Sequence, residues 1–156
     1  MLVYLVRHGE ALSELEDPLR PLSEVGKYNI RRMAKLIDSR ISVHPGYVFH
    51  SPKARAHQTA SILCDVLSES LLPIERDGLL PLDDPSIWGD RLVDMDKDTL
   101  IVGHLPHLSK LASFLLLWEP GKDIINFLPG TVLCLEKTES WKVNWMLSPR
   151  VLKAES

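Results

Sequence analysis

Hydrophobic and polar positions form two kinds of pattern along the chain. Three unbroken apolar runs, at residues 2–6, 47–49 and 100–102, are too short for helices and are typical of strands buried on both faces. Elsewhere apolar residues recur at helical spacing, which predicts three amphipathic helices. Their core-facing positions are Ile30, Met33, Ala34 and Ile37, then Ala56, Thr59, Ala60, Leu63 and Leu67, then Leu108, Leu111, Ala112 and Leu115. Strands that alternate with helices predict a largely parallel central sheet with helices on its faces.

The last third of the chain has a different pattern. Two β-rich runs, 131–136 and 141–147, are joined by the polar residues 137–140, which predicts a hairpin and hence an antiparallel element at a sheet edge. Residues 80–90 are rich in Pro and Asp and predict a long loop with one short helix. The predicted fold class is α/β, a three-layer α/β/α domain with a mostly parallel sheet, over residues 1–156.

Length and composition restrict the class of protein. A chain of 156 residues, 45% of them hydrophobic and 25% charged, can bury one core, which predicts a single domain and a monomer. The formal charge of -3 includes no basic stripe, so neither nucleic acid nor a membrane surface is an expected partner. The longest apolar run, 111–118, is too short to span a bilayer. Any anion-binding site must therefore depend on a few neighbouring side chains and not on the overall charge.

The two cysteines and the N-terminus both favour a cytoplasmic protein. Cys64 and Cys134 lie far apart in apolar segments, which is typical of reduced, buried thiols; a disulfide is possible but not needed. The N-terminus lacks a basic region followed by a long apolar run, so no signal peptide is expected.

Charged side chains and imidazoles follow each of the three predicted strands. Arg7 and His8 come directly after the first strand, Arg55 lies in the first turn of the helix after the second, and His104 follows the third. Ligands of open α/β sheets bind beyond the carboxyl ends of the strands. If these strands are neighbours, two cations and two imidazoles meet at one edge, and such a site suits a phosphoryl group.

The chemistry of phosphoryl transfer explains these residue types. Guanidinium groups bind phosphoryl oxygens through two parallel hydrogen bonds and stay charged at any working pH. A neutral imidazole, with an ordinary pKa of roughly 6.5, can attack phosphorus and become a phosphohistidine. The second imidazole can stabilise charge on the oxygens during transfer. Gly9 lets the backbone pass close to the phosphate.

Three motifs in order resemble the histidine phosphatase superfamily, also called phosphoglycerate-mutase-like. They are "RHGE" at 7–10, "SPKARAHQTA" at 51–60 and "GHLPHL" at 103–108. "RPLSEVG" at 20–26 and "NWMLSPRVLK" at 144–153 are similar to the short SixA-type phosphohistidine phosphatases, so the resemblance covers nearly the whole chain.

The resemblance implies a phosphoglycerate-mutase-like fold and a role for each motif residue. His8 would be the nucleophile, Arg7, Gly9 and Arg55 would bind phosphate, and His104 would complete the pocket, with no metal and no organic cofactor. The expected activity is that of a metal-independent phosphatase acting on phosphohistidine of a protein through a phospho-His8 intermediate. The expected partner is a histidine-containing phosphotransfer protein of signal transduction.

One departure from the superfamily concerns the general acid. Larger members supply a Glu from the loop after the third strand of their own fold. The corresponding segment of this chain, residues 79–90, reads "LLPLDDPSIWGD". Leu82 stands near the expected place, with Asp83 and Asp84 beside it as candidate acids. A weak acid favours P–N substrates, because an imidazole leaves more easily than an alkoxide. Two alternatives stay open: a phosphatase of small phosphate esters, and a phosphoryl-binding module without activity.

Several other polar residues have structural interpretations. Ser51 is expected to cap the second helix, and Glu10 to organise the loop after the nucleophile. His57 is expected to be solvated, whereas His50 could line the pocket or not. A metal site at His104 and His107 is disfavoured, because no carboxylate or cysteine stands at ligand spacing.

Overall fold

A computed structural model of the chain describes residues 1–154, so the last two residues of the predicted domain lie outside it. The strands are β1 (Leu2–Arg7), β2 (Tyr47–His50), β3 (Ile74–Glu75), β4 (Thr99–Gly103), β5 (Val132–Lys137) and β6 (Trp141–Leu147). The helices are α1 (Glu24–Arg40), α2 (Ala54–Leu67), α3 (Pro85–Val93) and α4 (His107–Leu117), with a short 3-10 turn at Pro149–Val151. The three predicted helices and all five predicted strands are present.

The six strands form one mixed sheet in the order β3-β2-β4-β1-β5-β6. The first four strands of this order run parallel, and β5 and β6 complete the sheet as an antiparallel hairpin. This arrangement confirms the predicted fold class, a mostly parallel sheet with an antiparallel edge. It also makes β1, β2 and β4 neighbours, which the predicted site requires.

The core lies on both faces of the sheet because side chains of each strand alternate between them. In β1, Tyr4 and Val6 pack in the cluster with α1 and α2, whereas Val3 and Leu5 pack in the cluster with α3 and α4. All four side chains are at most 1% exposed. A strand buried on both faces reads as an unbroken apolar run, which is why β1 could be recognised from sequence.

The structure adds two features to the sequence prediction. Strand β3 has two residues, too few to form a hydrophobic pattern, and was not predicted. The helix expected within residues 80–90 is α3, which starts at Pro85 but continues to Val93. Asp84 caps it by accepting a hydrogen bond from the Ser86 N–H.

Cys64 and Cys134 are buried free thiols, as the sequence predicted. Over residues 1–154, none of the helices has the combination of length and apolar composition that crossing a bilayer requires.

Candidate active site

The carboxyl ends of β1, β2 and β4 bring the predicted residues to one edge of the sheet. In the parallel ladders Arg7 pairs with Gly103 on β4, and His50 pairs with Val102. His8 and His104 follow these strands directly, so their rings come together with centroids 5.0 Å apart. The convergence predicted from the three strand ends is therefore present.

His8 is held with one ring nitrogen available for chemistry. The ring is 8% exposed, and its Nδ1 lies 2.7 Å from the Gly9 carbonyl oxygen. A carbonyl only accepts, so Nδ1 carries the proton and Nε2 keeps its lone pair. Burial lowers the pKa of His8 to about 4, with further lowering by the Arg55 and Arg7 cations. The folded protein thus contains a neutral imidazole whose Nε2 can act as a nucleophile.

His104 is fixed by a hydrogen bond that the sequence did not predict. Its Nε2 lies 2.5 Å from Ser51 Oγ, and its buried Nδ1 has no partner. Burial, followed by the nearby His8 and Arg55, lowers the pKa of His104 to about 3, so the ring is neutral. When Ser51 donates its O–H to Nε2, the ring proton sits on Nδ1 and can be donated to a bound oxyanion.

The hydroxyl of Ser51 also accepts a hydrogen bond from the Lys53 N–H at 3.3 Å, immediately before α2, so it contacts the start of the helix as well as His104. The residue that precedes α2 is Lys53, which makes no side-chain capping hydrogen bond. Arg55 lies in the first turn of α2, as predicted.

The two arginines are half-buried and present unused donors. Arg7 donates from NH1 to the Phe127 carbonyl oxygen at 2.7 Å, which fixes the side chain against the segment before β5. Burial lowers the pKa of both Arg7 and Arg55, but a guanidinium remains charged at physiological pH. The Nε atoms of both arginines are buried without a hydrogen-bond partner.

Three residues of this pocket, Arg7, Arg55 and His104, each have an unsatisfied polar atom. Among the described residues, the buried side-chain nitrogen and oxygen atoms without a partner are Arg7 Nε, Arg55 Nε, His104 Nδ1, both ring nitrogens of His107, and Thr131 Oγ1. Buried donors are normally satisfied, so three donors around one pocket suit an anion with several oxygens. Phosphate has this shape and charge.

Two glycines set the position of the nucleophile's loop. A Cβ on Gly9 would lie 2.8 Å from Ile30 Cγ1, so this glycine is required by close packing against α1. The predicted role of Gly9, room for the phosphate, stays a prediction beside this packing requirement. Gly26 on α1 faces the same loop, where a Cβ would lie 2.1 Å from the Glu10 carbonyl oxygen.

Replacement of Gly26 by alanine is expected to destabilise the protein. In an open helix the change would add stability of about 1 kcal/mol. Here the clash with the Glu10 backbone dominates, and overpacking typically costs about 1–3 kcal/mol. Thermal unfolding should show a melting temperature lower by several degrees, and phosphatase activity should fall because His8 moves with its loop. Gly121→Ala is the matched control, since nothing lies within 4 Å of its added methyl group. A more stable Gly26→Ala variant would contradict this account.

Hydrogen bonds from α2 and α1 hold the same loop. Thr59 Oγ1 accepts from the Gly9 N–H at 3.1 Å and donates to the Arg55 carbonyl at 2.8 Å. Ser23 Oγ donates to Glu10 Oε1 at 3.0 Å, in agreement with the structural role expected for Glu10. Ser51 and Thr59 belong to the second motif, but only the three-dimensional contacts show what each does.

Asp83 and Asp84, the candidate acids, are engaged in local structure. Asp83 Oδ2 accepts from the Leu80 N–H at 2.9 Å, and Asp84 Oδ1 accepts from the Ser86 N–H at 2.9 Å. The hydrogen bonds from Ser86 lower the pKa of Asp84, which favours its ionised form. Neither carboxylate lines the cleft that contains Arg55.

The remaining histidines of the motifs lie around the pocket. His50 is 3% exposed; its Nδ1 donates to the Ser51 carbonyl at 2.8 Å. His57 is exposed, as expected, and its Nδ1 lies 3.3 Å from His50 Nε2. His107 is fully buried. Within residues 1–154, no three His, Cys, Asp or Glu side chains are grouped so that they could hold a metal ion.

The buried imidazoles are expected to make stability depend on pH. His8 and His104 stay neutral in the folded protein to about pH 4 and about pH 3, whereas in the unfolded chain they titrate near the ordinary 6.5. Below that value the unfolded state binds more protons, so the free energy of unfolding should fall as the pH drops. The loss is on the order of 2 kcal/mol per imidazole by about pH 5. Urea unfolding at several pH values checks this. His104→Gln should show a shallower dependence, and an unchanged dependence would contradict the assignment.

Comparisons with protein families and with solved structures show which proteins this chain resembles. A family model described as histidine phosphatase superfamily (branch 1) matches residues 3–80, and no curated protein matches the sequence significantly. Among solved structures, the protein histidine phosphatase SixA complexed with tungstate has a TM-score of 0.86 and 28% identity, covering 98% of this chain and 100% of that chain.

Two phosphatases with other substrates have a similar fold. The alpha-ribazole phosphatase of Shigella flexneri has a TM-score of 0.80 and 16% identity, covering 96% of this chain and 97% of that chain. A mycobacterial glucosyl-3-phosphoglycerate phosphatase has a TM-score of 0.69 and 14% identity, covering 92% of this chain and 96% of that chain. At these identities the likeness concerns the fold alone.

Proposed function

The chain belongs to the histidine phosphatase superfamily, and we propose that within it this protein is a phosphatase that removes the phosphoryl group from phosphohistidine on a protein. The observation that carries the proposal is the pairing of a neutral His8, whose Nε2 is available, with three unsatisfied donors on Arg7, Arg55 and His104. Such a pocket suits binding of a phosphoryl group and its transfer to an imidazole. SixA, the similar structure, binds tungstate, a tetrahedral oxyanion with the shape of phosphate.

In the first step the phosphoryl group moves from the substrate to His8. The lone pair of His8 Nε2 attacks phosphorus while the substrate P–N bond breaks. The bonding pair returns to the leaving nitrogen, and a neutral imidazole departs because the other nitrogen of the substrate ring carries a proton. Arg7 and Arg55 neutralise the non-bridging oxygens, and His104 Nδ1–H stabilises the charge on a third. The His8 Nδ1–H remains bonded to the Gly9 carbonyl, which delocalises the charge of the phosphorylated ring.

In the second step water regenerates the enzyme. A water oxygen attacks the phosphorus of phospho-His8, the P–Nε2 bond breaks, and the electron pair returns to Nε2. The water proton passes to solvent or to the departing phosphate, which leaves as inorganic phosphate. No net oxidation or reduction occurs, so the residues of the pocket suffice for both steps.

The placement of the aspartates supports P–N rather than P–O substrates. An alkoxide leaves only when a general acid protonates it, whereas a phosphohistidine releases an imidazole that is a much better leaving group. Asp83 and Asp84 are occupied by backbone N–H groups, and Asp84 is held ionised. Asp83→Ala combined with Asp84→Ala is therefore expected to leave phosphohistidine turnover within about threefold of the unmodified protein. A loss of several orders of magnitude in a folded variant would identify a working acid.

A direct comparison of substrates tests the proposal. The protein is mixed in EDTA with a radiolabelled phosphohistidine phosphotransfer domain and, separately, with p-nitrophenyl phosphate. Fast release of label with slow ester turnover is the expected result. Efficient ester hydrolysis with the protein label untouched would assign the pocket to small phosphate esters instead. Phosphate binding without turnover of either compound would indicate a phosphoryl-binding module.

A further inference from the structure

Arg20 has a strained backbone conformation in the loop that follows the nucleophile. Its φ is 47°, in the left-handed region, which is unfavourable for a residue with a Cβ. Among residues 1–154, Trp118 is the other non-glycine residue with a positive φ. Arg20 also precedes Pro21, which restricts its backbone further. Strain of this kind persists where surrounding contacts enforce it, and it is common where a protein holds a ligand.

Hydrogen bonds hold the backbone of Arg20 close to α2. The Arg20 N–H donates to the Asp17 carbonyl at 3.0 Å. Two residues further along the chain, the Leu22 N–H donates to Gln58 Oε1 at 2.7 Å. Gln58 follows Arg55 by three residues on α2, so the end of the loop is fixed next to the helix that carries this pocket arginine.

The side chain of Arg20 is half-buried and uses one of its donors within the protein. Its Nε donates to the Leu12 carbonyl at 3.0 Å, which fixes the guanidinium along the loop. None of the ion pairs among residues 1–154 involves Arg20. The two terminal nitrogens therefore have no carboxylate partner and can donate to a ligand.

Arg20 and Arg55 line the same cleft, which has a volume of about 570 Å³. After burial, the charge of Arg20 is the main cause that lowers the pKa of Arg55. Burial and the two pocket arginines lower the pKa of His8, and Arg20 adds to their effect. Glu14 also lines the cleft and offsets part of the repulsion between the two cations. An anion bound between the guanidinium groups would replace the remaining repulsion with attraction.

We propose that Arg20 is a third arginine of the phosphate pocket, whose terminal nitrogens donate to a phosphoryl oxygen beside Arg55. A phosphoryl oxygen accepts more than one hydrogen bond, so Arg20 adds to the three donors already described. Its Nε stays on the Leu12 carbonyl, so the bound phosphoryl group becomes linked to the nucleophile's loop. This inference rests on the phosphoryl pocket of the proposed function and adds a binding residue to it.

Binding of tungstate, which has the shape of phosphate, tests this role of Arg20. Arg20→Lys keeps the charge but loses the guanidinium, and we expect its dissociation constant for tungstate to rise about tenfold or more in isothermal titration calorimetry. Arg20→Gly should lose at least as much affinity while its melting temperature does not fall, because glycine adopts a positive φ without strain. Weaker binding together with a lower melting temperature in Arg20→Gly would assign this arginine a structural role instead and overturn the proposal.

Lys53→Gln is the matched control, because the exposed Lys53 lines the same cleft and carries the same charge. It should raise the dissociation constant for tungstate by less than about threefold. If Lys53→Gln weakens binding as much as Arg20→Lys, or if Arg20→Lys binds as tightly as the unmodified protein, Arg20 makes no contact with the anion. The proposal is then overturned and the proposed function stands. If the unmodified protein neither binds tungstate nor hydrolyses a phosphorylated substrate, both are overturned.

Discussion

Replacement of His8 by alanine is expected to abolish turnover, with kcat lower by a factor on the order of 10⁴ or more. The imidazole supplies the attacking Nε2, which the hydrogen bond of Nδ1 to the Gly9 carbonyl leaves unprotonated beside His104. The oxyanion donors survive the change, because Arg7 is held by its hydrogen bond to the Phe127 carbonyl and Arg55 lies in the first turn of α2. Binding of tungstate or vanadate should therefore persist while hydrolysis is lost.

The control for this prediction is His44→Ala. His44 is exposed in the segment before β2, and its removal should leave both binding and turnover unchanged. Residual activity of His8→Ala within about tenfold of the unmodified protein would show that phosphoryl transfer does not pass through His8.

Arg55→Ala is expected to lower kcat/KM by about 10²- to 10³-fold, the usual cost of losing one donor to transition-state charge. Arg55→Lys should recover little of this activity, because an ammonium cannot supply two parallel hydrogen bonds in the plane of a guanidinium. The Nε of Arg55 is buried without a partner, so we expect a phosphoryl oxygen to be the ligand that satisfies it. The decrease should appear in steady-state kinetics on either substrate class.

Arg31→Lys provides the matched control for Arg55→Lys. Arg31 is exposed on α1, away from the strand ends, and its replacement should change kcat/KM by less than about twofold. If Arg55→Lys behaved like Arg31→Lys, the guanidinium of Arg55 would have no part in holding the phosphoryl group.

The fold was predictable wherever burial leaves a recognisable hydrophobic pattern. Strands β1, β2 and β4 are covered on both faces, so each is an unbroken apolar run. The helices that cover them have apolar residues at helical spacing. Strand β3 has two exposed residues and no such pattern. Helix α3 extends beyond the predicted segment because its buried residues, Trp88 and Leu92, lie partly outside the Pro- and Asp-rich stretch.

The candidate site was predictable as a set of residues but not as a set of contacts. The strand ends identified His8, Arg7, Arg55 and His104, because parallel neighbours must end at the same edge. The hydrogen bond between Ser51 and His104 joins two residues that are 53 positions apart and follow β2 and β4, so the sequence carries no local signal for it. The packing of Gly9 against α1 is also a long-range contact, which the motif alone does not reveal.

The most direct test of the central claim is to locate the phosphoryl group during a single turnover. The protein is mixed in excess with a phosphotransfer domain that carries radiolabelled phosphohistidine, the reaction is quenched at alkaline pH, and the labelled peptide is identified by mass spectrometry. The account predicts transient label on the peptide that contains His8, with decay to inorganic phosphate and none of it in His8→Ala. Release of inorganic phosphate without label ever appearing on that peptide, or with label on His104, would contradict it.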